Sequence, residues 1–290
     1  MADFEHLHIE RRGGVAVITL NRPERLNVLG MGPGSNRDEL LRALAEADRD
    51  NSVGAVLLCA TGRAFCGGGD LTGGVPRETV FDDYRFHAAA EEFHGAVRQV
   101  RKPLVAAVQG LCLGAGVALA AQCDLVVAAE DAQFGLVEGR IGLTGGGAIV
   151  HLVGATWAKF LILTGETIDA RRAARIGLVL TVVPGAELQT RAFELARRIA
   201  TLPRAAVELN KAGINAQAEA AGLAAGRLAG EGMDPVTTAM ARQARAPDGR
   251  LFRDILRAEG VDGLKRARTL QYDTPWLAPL PASGPAGNGS

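Results

Sequence analysis

An α/β fold follows from three features of the sequence. Short apolar runs bounded by Gly or Pro alternate with stretches of helical periodicity. The order apolar run, glycine-dense loop, helix occurs twice, over 53–71 and 104–123. The chain holds 37 glycines but only 4% aromatic residues, so its core must be built from small side chains at close backbone distance. This repetition predicts ββα-like units rather than a single dinucleotide-binding half.

In chain order, residues 15–20 form an apolar strand after the Gly13-Gly14 turn, and Asn21-Arg22-Pro23 breaks it. The stretch 30–36, GMGPGSN, is a loop by composition. Leucines at 40, 41 and 44 between charges predict a one-faced helix over 38–48. Residues 53–60 are the next strand and run into the glycine-dense loop 61–71. A loop over 72–76 leads to a helix over 81–100. Strand 104–108, a helix opened by Gly114-Ala115-Gly116 and ended by Asp124, and strand 125–129 follow, with Glu138 in a short loop. Glycines 145–147 precede a helix from about 148, then come a short helix and a strand over 178–183. Beyond 187 the pattern is helical: 187–201, 204–229, 235–244 and 251–270. The division that results is a core over 1–200, a helical C-terminal region over 201–272, and a tail over 273–290 whose Pro/Gly/Ala/Ser composition predicts disorder.

Thirty-two basic residues balance 32 acidic ones, which argues against nucleic acid or an anionic membrane surface as partner. The four cysteines, Cys59, Cys66, Cys112 and Cys123, show no C-x-x-C spacing and read as free thiols of a reducing cytosol. The N-terminus lacks the apolar core of a signal peptide, and Gln122 and Asp124 interrupt the one run apolar enough to suggest a membrane span. The expectation is a soluble cytoplasmic protein.

Several chemistries lose their support. Gly114 to Leu119 begins like G-x-G-x-x-G but has leucine at the third small position. P-loop and H-E-x-x-H spacings are absent, and none of the serines 35, 52, 283 and 290 lies in G-x-S-x-G. No metal site is expected. His6, His8, His87, His94 and His151 are scattered; His87 and His94 can share a helix face but read as surface or core-edge residues, and Glu91 and Glu92 as a solvated face. The opening at 114–117 stands out. A helix start there presents unpaired N–H groups and the positive end of a dipole, a setting for an anion or a developing oxyanion.

The segments NRPERLN (21–27), GRAFCGGGDL (62–71), KPLVAAVQGLCLGAGVALAAQCDLVVA (102–128), AQFGLVE (132–138) and TGETIDARRAARIGLV (164–179) resemble, in order and spacing, the crotonase superfamily of enoyl-CoA hydratases and isomerases. The resemblance implies a crotonase-like spiral of ββα units, a helical C-terminal trimerisation region, and a homotrimer or dimer of trimers. It implies an acyl-CoA substrate, with coenzyme A as part of that substrate and no other cofactor. The thioester oxygen would be held by the N–H groups of Gly67 and Ala115. Ala64, Gly67, Gly68, Gly69, Asp70 and Leu71 would line the CoA path, with Arg25 meeting its phosphates. Glu138 would be the acid/base.

One departure matters. Hydratases of the family carry two glutamates; the second maps onto Glu138, but the first falls on Ala118, and alanine can neither hold water nor move a proton. An aspartate used by some relatives would fall near 145–147, where there is none. A single glutamate suits an isomerase, whose base carries one proton between carbons. The reading is therefore proton transfer on an enoyl-CoA through a stabilised enolate, by isomerisation or by hydration with Glu138 alone. A non-catalytic acyl-CoA-binding scaffold and a CoA-ester decarboxylase or hydrolase of the same fold stay open.

Overall fold

The computed structural model describes residues 4–72, 78–145 and 149–280. The parts of the expected loop 72–76, of the 145–147 glycine run with the helix start at 148, and of the 273–290 tail that fall beyond those bounds lie outside the described residues.

The chain opens with a hairpin, β1 (Leu7–Arg12) and β2 (Val15–Leu20), turned by Gly13 and Gly14 at φ 56° and 76°. β1 was not legible as a strand because its LHIERR sequence buries little more than Leu7 at the sheet edge. Helix α1 (Asn36–Arg49) starts on Ser35, whose hydroxyl accepts from Asp38 N–H. Three units follow. β3 (Ala55–Ala60) and β4 (Ala64–Cys66) lead to α2 (Val80–Gln99), which opens with a Thr79/Asp82 capping box. β5 (Leu104–Val108) and β6 (Leu111–Leu113) lead to α3 (Ala115–Gln122). β7 (Leu125–Ala129) and β8 (Gln133–Gly135) lead through a 3₁₀ turn at Val137–Ile141 to α4 (Val150–Thr164). Then come β9 (Thr167–Asp169), α5 (Ala170–Arg175) and β10 (Thr181–Val183).

Each unit gives its first strand to one sheet and its second to another. The larger sheet has the order β1-β2-β3-β5-β7-β10 and the smaller β4-β6-β8-β9. From β2 onward the larger sheet is parallel. In the smaller sheet β4, β6 and β8 are adjacent and parallel, so the segments that follow them leave at the same edge. Those segments are Gly67–Asp70, Gly114-Ala115 and the turn holding Glu138. The spiral thereby gathers three distant stretches at the carboxyl ends of neighbouring strands, where sheets of this kind bind ligands.

Burial explains why the strands are nearly unbroken apolar runs: β3 and β5 are buried along their whole length, between the smaller sheet and helices on one face and α6 (Leu188–Ala200) on the other. α6 places Leu188, Ala192 and Ala196, four apart, against that second face.

Among the described residues three further helices follow: α7 (Arg204–Ala218), α8 (Ala224–Ala241) and α9 (Phe252–Thr269). The expected break between 229 and 235 is absent. Instead α7 ends at a π turn, Glu219–Leu223, with Gly222 at φ 110°, and α8 runs through Pro235. Packing of α8 along α2 overrides the local proline signal. Among the described residues, no helix is long and apolar enough to cross a membrane.

Ala192 is fully buried between α6 and the larger sheet. Ala192→Leu should lower the stability read from a urea unfolding curve by about 1–3 kcal/mol through overpacking, at unchanged slope.

Candidate active site

Close packing that only glycine permits brings the three segments together. A Cβ on Gly116 would lie 2.6 Å from Cys66 O and 2.8 Å from Cys66 Cβ, so the first turn of α3 rests directly on the end of β4. A Cβ on Gly114 would lie 2.5 Å from Glu138 Oε1. Gly114 is also at φ 54°, a backbone conformation that favours glycine. The Glu138 carboxyl therefore lies against the residue that opens α3, where no side chain caps the helix.

Glu138 sits in the 3₁₀ turn rather than in an irregular loop, between Val137, which is buried, and Gly139. The residue is half-buried, and its Oε2 has no solvent contact and no hydrogen-bond partner among the described residues. Loss of hydration pushes its pKa up from 4.5 to about 7; a bond to its own backbone and the Arg268 guanidinium on α9 oppose the rise, and the Asp234 carboxylate on α8 adds to it. Burial outweighs the opposing effects, which leaves a carboxyl able to take and give a proton near neutrality.

Ala115 is the first residue of α3, so its N–H is among the helix-start donors that have no intrahelical partner. Gly67 does not match its expected part. Its N–H donates to Leu26 O at 2.8 Å and is not available to a ligand. Among the described residues neither Gly68 nor Gly69 N–H has a hydrogen-bond partner, and of these two residues Gly69 is the exposed one. Leu29 bridges to the loop by donating to Gly68 O and accepting from Asp70 N–H, both at 2.9 Å, so the Gly69 N–H points to the opposite side, and Gly69 is exposed.

Ala64 also departs from expectation. It is 1% exposed within β4 and its carbonyl accepts from Asn27 Nδ2 at 2.8 Å, so a ligand meets neither group. Gly68 is buried, whereas Leu71 is 40% exposed beside it. Asp70 braces the loop. Its carboxylate accepts from Arg25 Nη2 at 3.0 Å and from Thr72 N–H at 2.9 Å, with Arg22 3.8 Å away. Its pKa is lowered, with desolvation opposing the combined pull of the Thr72 bonds and the two guanidinium groups. Arg25 lies at the rim of the glycine loop with part of its guanidinium in solvent. Ala118, one turn into α3, offers a methyl group only.

Two features were not read from the sequence. One is Arg268, which α9 brings near Glu138 and whose Nε is buried without a partner among the described residues. The other is a polar set on α2 and α8 around Asp234 and His87, in which His87 lies at the edge of the core, one of the two placements expected for it. Both depend on how the C-terminal helices fold back, which no motif in the chain specifies.

Comparison with known proteins places the chain in a family. The model of the family described as enoyl-CoA hydratase/isomerase matches residues 10–245. A probable enoyl-CoA hydratase of Mycobacterium bovis is 36% identical over 216 residues, 73% of this chain and 82% of that protein. The short-chain-enoyl-CoA hydratase of Clostridium acetobutylicum is 34% identical over 218 residues, 73% of this chain and 82% of its own. Among solved structures, an enoyl-CoA hydratase/isomerase from Xanthobacter autotrophicus Py2 superposes with a TM-score of 0.83 at 31% identity, covering 94% of this chain and 100% of that one. The chain belongs to the enoyl-CoA hydratase/isomerase family and has the crotonase fold.

The raised pKa of Glu138 has a consequence for stability. The native state holds this proton more tightly than the unfolded chain, so the benefit is full below pH 4.5 and is lost as pH rises through about 7. The difference corresponds to about 3 kcal/mol. Chemical denaturation from about pH 4.5 to about pH 8 should show wild type losing that much stability relative to Glu138→Gln, in which this contribution to the slope is absent.

Proposed function

We propose that this chain moves a proton at C2 of an enoyl-CoA thioester, with Glu138 as the acid/base and the N–H groups of Gly69 and Ala115 as donors to the thioester oxygen. The observation that carries the reading is the Glu138 carboxyl, with Oε2 closed to solvent and unpartnered among the described residues and its pKa raised to about 7, lying against the open start of α3.

The chemistry uses each part. Removing a proton next to a thioester sends the electron pair to the carbonyl oxygen and makes an enolate. Fixed N–H donors stabilise that charge far better than they stabilise the neutral carbonyl, and removing one such donor costs about 3–4 kcal/mol of barrier. The base must be basic enough to take the proton yet acidic enough to return it, which a carboxyl near 7 satisfies. A single carboxyl can carry one proton from C2 to C4, so a 3-enoyl thioester is the substrate that Glu138 and the two donors handle without further help. The exposed glycine loop, Leu71 and Arg25 form the rim along which a CoA chain with its phosphates would pass.

With a 3-enoyl-CoA, conjugated thioester absorbance should rise, and Glu138→Gln should cut that rate by about three orders of magnitude with CoA binding kept. Silence of the wild type would move the reading to a binding scaffold. Ala115→Pro tests the donor: proline is accepted at the first position of a helix, so the thermal midpoint should hold while kcat falls by about 10²–10³.

A further inference from the structure

Adding water to a 2-enoyl thioester needs a group that holds and deprotonates the water, and Ala118 supplies none. A polar set next to Glu138 can. His87 on α2 places Nδ1 3.6 Å from Asp234 Oδ2 on α8, and its Nε2 shares a 2.8 Å hydrogen bond with Thr238 Oγ1. The Thr144 hydroxyl donates to Asp234 Oδ1 and lies 2.9 Å from Thr237 Oγ1. Thr144 directly precedes Gly145, and a Cβ on Gly145 would lie 3.4 Å from Glu138 Oε1 and Cδ. Asp234 is thus anchored one residue from the wall of the Glu138 carboxyl, close enough for its charge to raise the proton affinity of Glu138.

A simple tie between helices does not account for this arrangement. α2 and α8 are already joined by Arg242 Nη2 donating to Asp83 Oδ2 at 2.6 Å, four residues before His87 on α2. Asp83 is 1% exposed, as a structural ion pair requires. The His87 and Asp234 side chains keep 17% and 16% of their surface open, so solvent reaches the carboxylate of the second pair, whereas in the first pair it reaches Arg242, 37% open, and not Asp83.

We infer that Asp234, oriented by His87 and Thr144, is the second acid–base group of this site and takes the role that position 118 cannot fill, giving the enzyme hydratase activity. The inference rests on the reading of Glu138 as the group at C2. In the step it describes, a water held by Asp234 attacks C3, and an O–C3 bond forms as the C2=C3 π pair moves onto the thioester oxygen. The water's proton passes to Asp234. The enolate then collapses and C2 takes the proton of Glu138. Return of the proton from Asp234 to Glu138 through solvent restores both groups, and the net change is addition of one water. Asp234 would touch the water; His87 is a positioning residue, acting through Asp234.

Two assays on the full chain separate the parts. Hydration of crotonyl-CoA, read as loss of conjugated absorbance, needs both carboxyls. Deuterium exchange from solvent into C2 of butyryl-CoA needs only Glu138 and the oxyanion donors. Wild type should do both. Asp234→Asn should lower hydration kcat by about a hundredfold and exchange by less than about fivefold, with KM little moved. His87→Leu should shift the ratio of the two rates the same way, and His87→Asn, which keeps a donor toward Asp234, should recover part of it; these α2 variants carry the test if Asp234→Asn does not fold. Absence of hydration in wild type, hydration within about threefold of wild type in Asp234→Asn, or equal loss of both rates overturns the inference, the last because Asp234 would then act only through Glu138. Exchange that survives in Glu138→Gln overturns the Glu138 reading instead.

Discussion

The site depends on one contact, that of the Glu138 carboxyl with the backbone of Gly114. Without a side chain at 114, the turn after β8 can bring a carboxyl against the first residue of α3, and the left-handed φ of Gly114 aims that helix at it. Two opposing forces then act on the acid. A helix start favours a negative charge by about 0.3–1 kcal/mol, rising to about 2 in buried settings. Burial disfavours it by more: the rise of the pKa to about 7 corresponds to about 3 kcal/mol net against the charged form. Desolvation wins, and the result is a carboxyl that is not held in either protonation state at neutral pH.

The surrounding architecture makes that contact possible. Neighbouring parallel strands deliver the loop after β4, the start of α3 and the Glu138 turn to one edge of the smaller sheet. The spacing is close because small residues are used throughout: Gly116 rests on Cys66, and Ala192 and Ala196 let α6 approach the opposite face of the larger sheet. The low aromatic content is therefore part of how the active edge is assembled, since bulkier side chains at 114 or 116 would separate the segments that must meet.

Much of this was legible in the sequence. Strands 104–108 and 125–129 are short apolar runs between clear breakers, and both were found with their full extent. Glu138 and Ala115 could be singled out because motif order and helix-start chemistry point to the same positions. The glycine-loop donor proposed here, Gly69, lies two residues beyond Gly67, the position expected from the sequence. In CGGGD all three glycines are alike in sequence, and only the pairing of Leu29 with Gly68 and Asp70 determines which N–H turns away from the sheet and which, that of Gly67, is spent on Leu26. β1 escaped notice because an edge strand with charges on its open face lacks the apolar pattern of a buried one.

The C-terminal helices gave the largest gap between sequence and structure, for a physical reason. Helical periodicity marks which face of α8 is apolar but not which part of the core receives it, and Pro235 suggested a break where packing on α2 sustains the helix. Asp234, next to that proline, and His87 lie 147 residues apart, and no local pattern links them; only the Asp83–Arg242 pair and the contact of the two helices bring them within 3.6 Å. A spiral core that sets Glu138 against α3, and a separate helical layer that supplies further polar groups beside it, would let the inferred second carboxyl take a different position while the first stays where it is. The loss of an acid at 118 then need not be a loss of hydration, because the fold can bring a different acid to the same substrate from α8.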